Sequence, residues 1–434
     1  MGNKLQNEGI FVRSQSPGGR TLRVHSQSPV GWTPWICFVL FLTMISSLFF
    51  SRFLLSASMI AFILVSVIHP ELKTQVRQFF SNPLLWGMSL LFFIPLLSGL
   101  WSIDNEQWID IMRIKLPLLL LPFAFAGKWE LTQKQWDWVG YFFIGCILAG
   151  SLWTFFQYLP ESKTVDQHYL QAKTMVTPLE NDHVRFSWLV SVAILLCGWF
   201  FIKQRAQRSA YLFLITGTWF IIFLHLLAAR TGLFSFYLKV IITAGWLVTT
   251  RKKRITALIL LAVFAILPVI AYKTIPSFHN RVSFFLYEKG FFEKLNYLPG
   301  GNDAMRFISM KAGIDLMKEH PIGGTGFGDI QAETREWYEL NYPGMKDDDK
   351  ILPGSEWLIY GAGCGWPGIL VFTFCMLIPF FIKAREKLWW WLLNSTAAFS
   401  FLFDIGLEVQ FGVFIYAFVI LWWGKWLKVG KLNR

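Results

Sequence analysis

Three arginines and a histidine carry the chemistry that this sequence offers. His183 and Arg185 stand in "NDHVRFSWLV" (181–190), Arg230 in "LAARTGLFSFYLK" (227–239) and Arg306 in "DAMRFISMKAGIDLMKEHP" (303–321). A guanidinium is planar and forks two N–H groups onto phosphate oxygens. Arginines from three segments, if they meet, make a site for a diphosphate headgroup; if they do not, they are separate lipid-facing anchors. Lys239 lies about two turns further along the apolar run that follows Arg230. An ionisable group there is costly and is a binding candidate by default, or it pairs within a helix bundle. Asp404 and Glu408 add carboxylates in "DIGLEVQFGV" (404–413).

A membrane bundle must position these residues. Of 434 residues, 54% are hydrophobic and 15% charged, against about 25% charged in an average soluble protein. The 22 Trp and 43 Phe exceed what one soluble core would bury. Apolar runs recur at close to the ~20 residues a helix needs to cross a bilayer. They predict an all-α polytopic bundle of twelve spans: 32–50, 53–69, 84–101, 114–127, 138–158, 186–202, 211–229, 232–249, 255–273, 358–382, 388–404 and 409–427.

Charge sets the expected orientation. With the N-terminus inside, every short inside loop is basic: Lys73 and Arg77, Lys128 and Lys134, Lys203 with Arg205 and Arg208, Arg251 to Arg254, and Lys383 with Arg385 and Lys387. This is the positive-inside pattern. It places both termini in the cytoplasm and assigns the net charge of +13 to topology and anionic lipid rather than to nucleic acid. The expected organisation is a basic tail (1–31) with no signal-peptide h-region, nine spans (32–273), a long outer loop (274–357), three spans (358–427) and a short tail (428–434). A second outer segment covers 159–185.

Within the long loop, 303–321 reads as an amphipathic helix with Phe307, Met310, Ile314 and Met317 on one face and Asp303 as its cap. The following "GGTGFGD" (323–329) lacks the spacing of a nucleotide loop and reads as a tight turn whose N–H groups could face an anion. The five cysteines, Cys37, Cys146, Cys197, Cys364 and Cys375, lie in or beside apolar runs without metal-ligand spacing and read as small core residues. No cofactor is expected.

Several short stretches together resemble the O-antigen ligase / O-antigen polymerase superfamily of bacterial membrane glycosyltransferases. They are "LSGLWSID" (97–104), "AARTGLFSFY" (228–237), "HPIGGTGFGDI" (320–330), "GCGWPGILVF" (363–372) and "LEVQFGV" (407–413), in that order and with one large outer loop between the ninth and tenth spans. The resemblance implies an inner-membrane enzyme of surface glycan or lipopolysaccharide assembly. Its donor would be a polyprenyl-diphosphate-linked glycan. Its acceptor would be a hydroxyl on lipid A–core, on another glycan or on protein, at the periplasmic face. It implies that Arg185 and Arg230 hold the diphosphate, with Arg306 and Lys239 as further candidates. A polymerase is the nearest alternative. A glycolipid transporter or flippase, or a non-catalytic glycolipid-binding relative, belongs to another class.

One departure stands out. Typical members of that superfamily read Pro-His-Asn-x-x-Leu before the tenth span, and the resemblance implies that this histidine is the base on the acceptor. This chain reads Pro353-Gly354-Ser355-Glu356. Glu356, at the same loop-to-span junction and next to Trp357, and His183, two residues from Arg185, are the candidate replacements. His279 and His320 are weaker ones. The alternative for Glu356 is a favourable charge at a helix N-terminus.

Overall fold

The computed structural model describes residues 32–68 and 71–427, all helix, turn and loop with no strand among them. The expected tails 1–31 and 428–434 lie outside the described residues. Two apolar helices come first, α1 (Thr33–Phe50) and α2 (Arg52–Val67). α3 (Leu72–Ser81) leads to α4 (Pro83–Ser98), started by an Asn82 side chain that accepts from Leu84 N at 3.1 Å and by a proline that needs no N–H partner. Asp104 accepts from Gln107 N at 2.9 Å and starts α5 (Asn105–Lys115).

The expected fourth span is broken. α5 ends at Lys115 and α6 (Pro117–Phe125) begins at Pro117, because a proline supplies no N–H to continue the ladder. A Thr132/Gln135 capping box opens α7 (Gln133–Tyr158). α8 (Ser162–His168) lies in the segment expected as a loop, and Asp182 caps α9 (His183–Lys203). α10 (Ala210–Leu227), α11 (Arg230–Thr249) and α12 (Arg254–Thr274) follow. The α10–α11 turn is tight because Gly232 donates its N–H to Ser187 Oγ at 3.1 Å, and a Cβ there would meet Ser187 Cβ at 2.6 Å.

The expected outer loop is itself helical: α13 (Pro276–Phe292), α14 (Asp303–Glu319) and α15 (Ile330–Asn341). α14 is the amphipathic helix expected from sequence, but of the four expected residues only Met317 is buried, and the enclosed face is shifted around the helix. Met305, Ile308, Ala312 and Leu316 are enclosed, whereas Phe307 is 41% and Ile314 38% exposed. Nor does Asp303 cap it. The carboxylate of Glu288, from α13, receives Asn302 N at 2.5 Å and Asp303 N at 3.1 Å, which frees the Asp303 carboxylate for other use.

α16 (Glu356–Phe381), α17 (Lys387–Ser400) and α18 (Gln410–Trp426) complete the chain. α16 is not continuous, since Cys364 and Gly365 (φ +65°) leave helical geometry. The glycine turn docks at this break. Thr325 N donates to Ala362 O at 2.8 Å and Gly326 N to Gly363 O at 3.1 Å. Phe327 N and Gly328 N donate to Ser98 Oγ and Ser102 Oγ at 3.1 and 3.2 Å, and Asp329 takes the N–H groups of Ile103 and Asp104 at 2.8 Å each. Gly326 (φ +95°) has no room for a side chain, since a Cβ would lie 2.4 Å from Ser102 Oγ. The turn's amides are consumed by protein acceptors, so it fastens helices together and does not cradle an anion.

All twelve expected apolar runs are helical. Among the described residues, seven helices are long and apolar enough to cross a membrane (α1, α7, α9, α10, α11, α12 and α16), or eight if α2 and α3 form one bent span. α4, α17 and α18, at 16, 14 and 17 residues, fall short of the ~20 that span a bilayer. α18 is nevertheless the most enclosed element, with Phe411 to Trp423 buried throughout. Four of the cysteines are buried and none is paired, as expected of core residues.

Candidate functional site

One end of the bundle gathers the starts of α9, α11, α14 and α16 and the segment 401–408. Arg185, on the first turn of α9, donates to Asp182 Oδ2 at 3.0 Å and to Asp404 Oδ1 and Ile405 O at 3.4 Å each. Asp404 also has Arg306 as a charged neighbour, and Arg306 donates to Phe403 O. Arg230, first residue of α11, pairs with Asp303 at the start of α14. Arg281 and Arg306 are its cationic neighbours. His183 faces the same group, with Arg281, Arg306, Arg230 and Asp182 around it. Burial holds Arg281 and Arg306 below the usual guanidinium range and lifts Glu288 above the usual carboxylate range.

Thus His183, Arg185, Arg230 and Arg306 come together. Lys239 does not join them. It lies nine residues along α11 from Arg230, an axial rise of about 13 Å at ~1.5 Å per residue. Its amine donates to Ser191 O and Oγ on α9 at 2.7 Å each, which makes it a helix-pairing lysine. His279 stacks on Tyr272, and His320 closes α14, its carbonyl accepting from Gly324 N.

Glu356 occupies a sealed layer beside the arginines. Its side chain has no exposure, and its carboxylate faces the Leu407 backbone N–H without a well-formed hydrogen bond. It faces Lys115 rather than Trp357, whose indole donates to Thr373 Oγ1. Lys115 Nζ lies 2.5 Å from Glu408 Oε1, 3.0 Å from Leu407 O and 3.8 Å from Glu356 Oε1, over the rings of Phe327 and Tyr360 at 5.4 and 5.3 Å. Glu356 N donates to Phe401 O at 2.9 Å. Lys115 and Glu356 therefore fasten both ends of the segment that presents Asp404 to Arg185 and Arg306.

Sequence reasoning missed two residues. Lys115 carried the signal that singled out Lys239, a lysine within an apolar run. Arg281, in "PSFHNRVSFF", carried no local signal at all.

Gly354 explains itself in this setting. Its N–H donates to Ser309 Oγ at 3.0 Å, and a Cβ on it would lie 2.7 Å from Arg306 Cγ. The stem of Arg306 fills the space that a side chain at 354 would need.

Residues 217–373 match the O-antigen ligase family. The O-antigen ligase domain so defined runs from within α10 to within α16. It contains Arg230, Arg281, Arg306, Gly354 and Glu356, while His183, Arg185, Lys115 and Asp404 lie outside it. The match agrees with the superfamily resemblance and supports a ligase- or polymerase-like part in glycan assembly by a membrane protein. No curated protein matches the chain.

Proposed function

We propose that the chain is a membrane glycosyltransferase that moves a glycan from a polyprenyl-diphosphate carrier to an acceptor hydroxyl. The observation that carries this is the meeting of Arg185, Arg230 and Arg306, from three helices, at one end of a bundle that holds an O-antigen ligase domain. Twelve membrane passes with both termini in the cytoplasm of the inner membrane put this end at the periplasm. Lysines at the other end fit that arrangement, with Lys203 paired to Asp137 at 2.7 Å and Lys425 donating to Gly127 O at 3.2 Å.

In this reading the acceptor oxygen attacks the anomeric carbon as its bond to the diphosphate breaks. The arginines stabilise the departing anion, which is the larger electrostatic task. His183, half-buried among them, takes the acceptor's proton. Glu356 is sealed from any acceptor in this state, so His183 is the better base of the two.

The test is deletion of the gene followed by gel analysis of surface glycolipid. Lipid-linked polymer retained with no capped long chains identifies a ligase. Single-repeat products identify a polymerase. Unchanged glycolipid overturns the proposal.

A further inference from the structure

Arg281 is the most enclosed of the four clustered arginines, 6% exposed, and its Nε and Nη1 have no hydrogen-bond partner among the described residues. Arg185 and Arg230 have Asp182, Asp404 and Asp303 as partners, and Arg306 has Phe403 O. Glu288, two turns along α13 on the same face, spends its carboxylate on the Asn302 and Asp303 amides. A buried guanidinium with free donors is costly, and such groups in native structures mark sites where an absent acceptor belongs. Glu288 is a charged neighbour of Arg281 but accepts from neither Nε nor Nη1, and Arg230, Arg306 and His183 border the same guanidinium.

We infer that Arg281 takes the leaving phosphate of the lipid diphosphate and gives the site its preference for a diphosphate over a monophosphate. This rests on the reading of the arginine cluster as a lipid-diphosphate site. The chemistry explains why such a group waits unpaired. In the donor the diphosphate is a diester. When the anomeric carbon–oxygen bond breaks, its electron pair stays on the phosphate oxygen, the acceptor oxygen bonds the carbon, and the acceptor's proton passes to His183. The diphosphate gains one negative charge at the end that was bonded to sugar. A donor pair that no carboxylate accepts from meets that charge without first breaking a hydrogen bond, which is the preorganisation that favours a transition state over a ground state.

The test uses the full chain purified in detergent and three probes: farnesyl diphosphate, farnesyl monophosphate and inorganic pyrophosphate. Wild-type protein should bind farnesyl diphosphate at least tenfold more tightly than either of the others. Arg281→Gln should abolish the preference over monophosphate while its melting temperature stays the same or rises, since an unpaired buried charge has been removed. Arg281→Lys should fall between. A structural strut predicts the opposite: a lower melting temperature and equal losses for both lipids. That result, or a preference kept by Arg281→Gln while Arg230→Ala loses farnesyl diphosphate, overturns the assignment of Arg281 and leaves the proposed function standing. Wild-type protein that does not bind farnesyl diphosphate overturns both. Inorganic pyrophosphate bound as tightly as the lipid overturns the lipid source.

Discussion

The backbone of Gly354 and the side chain of Arg306 share one space: a Cβ on residue 354 would sit 2.7 Å from Arg306 Cγ and 3.1 Å from Ser309 Oγ. Because the contact is near the base of the arginine rather than at its flexible tip, a side chain at 354 must displace the whole Arg306 stem. Gly354→Ala should therefore lower glycan transfer at least tenfold at normal protein level. Gly354→His should do no better, although it supplies the residue that the resemblance leads one to expect there. Full activity in either variant would show that Arg306 is free to move aside and is not a fixed part of the site.

Arg230 is held by Asp303 in this structure. A lipid diphosphate would have to compete with that carboxylate. Arg230→Ala should abolish transfer, and Arg230→Lys should remain poor because an ammonium cannot fork. Asp303→Asn should retain transfer and bind farnesyl diphosphate more tightly. Loss of binding in Asp303→Asn would mean that the ion pair builds the site instead of guarding it.

The Lys115 cluster makes a stability prediction. Removing one member of a buried ion pair typically costs about 3–5 kcal/mol, and Lys115 and Glu408 meet at 2.5 Å with side chains 0% and 9% exposed. Lys115→Met should sharply lower the melting temperature in detergent. Glu408→Gln should do so to a lesser extent. Glu356→Gln should be close to neutral, because an amide oxygen can still face the Leu407 N–H and the carboxylate makes no well-formed hydrogen bond to lose. A large loss in Glu356→Gln would indicate that the 3.8 Å contact with Lys115 carries more of the cluster than its geometry suggests.

Much of the fold was legible in the sequence because apolar runs impose helices wherever they occur. The breaks were less legible. Leu116-Pro117 ends α5 by a local rule, but the departure at Cys364 and Gly365 exists because the glycine turn inserts its amides at Ala362 and Gly363, a contact between distant segments. The face of α14 was misjudged for a related reason. Two stripes of apolar residues run along it, and only the packing of α13 and α16 decides that Ile308 and Ala312 go in while Phe307 stays out. At the site, Arg185, Arg230 and Arg306 could be named one by one, since each begins or nearly begins a helix. Their convergence, and the place of Arg281 among them, are tertiary facts that no stretch of sequence encodes locally.

Orientation is testable without any substrate. Asp348 is exposed in the segment between α15 and α16 and makes no ion pair among the described residues. Asp348→Cys should react with an impermeant thiol reagent once the outer membrane is permeabilised. Reaction that waits for lysis of the inner membrane would put the arginine end in the cytoplasm and remove access to a periplasmic donor.

The choice of base can be settled by pH. General-base help is worth roughly 10²–10⁴-fold in rate, about 3–6 kcal/mol at ~1.4 kcal/mol per tenfold. His183 is half-buried, has Arg281, Arg306 and Arg230 as neighbours, and stands next to Asp182, whose side chain is already committed to Arg185. If its imidazole accepts the acceptor's proton, only the neutral ring works, so transfer in the wild type should rise with pH through one ionisation and then level off. His183→Gln should lose at least tenfold on the plateau and lose the ionisation as well, with farnesyl diphosphate binding intact. Glu356→Gln should leave the profile unchanged, because Glu356 holds the 401–408 segment through its backbone N–H, which the substitution preserves. Should His183→Gln keep the same profile while Glu356→Gln flattens it, the sealed carboxylate must become exposed during turnover, and Glu356 rather than His183 would be the base.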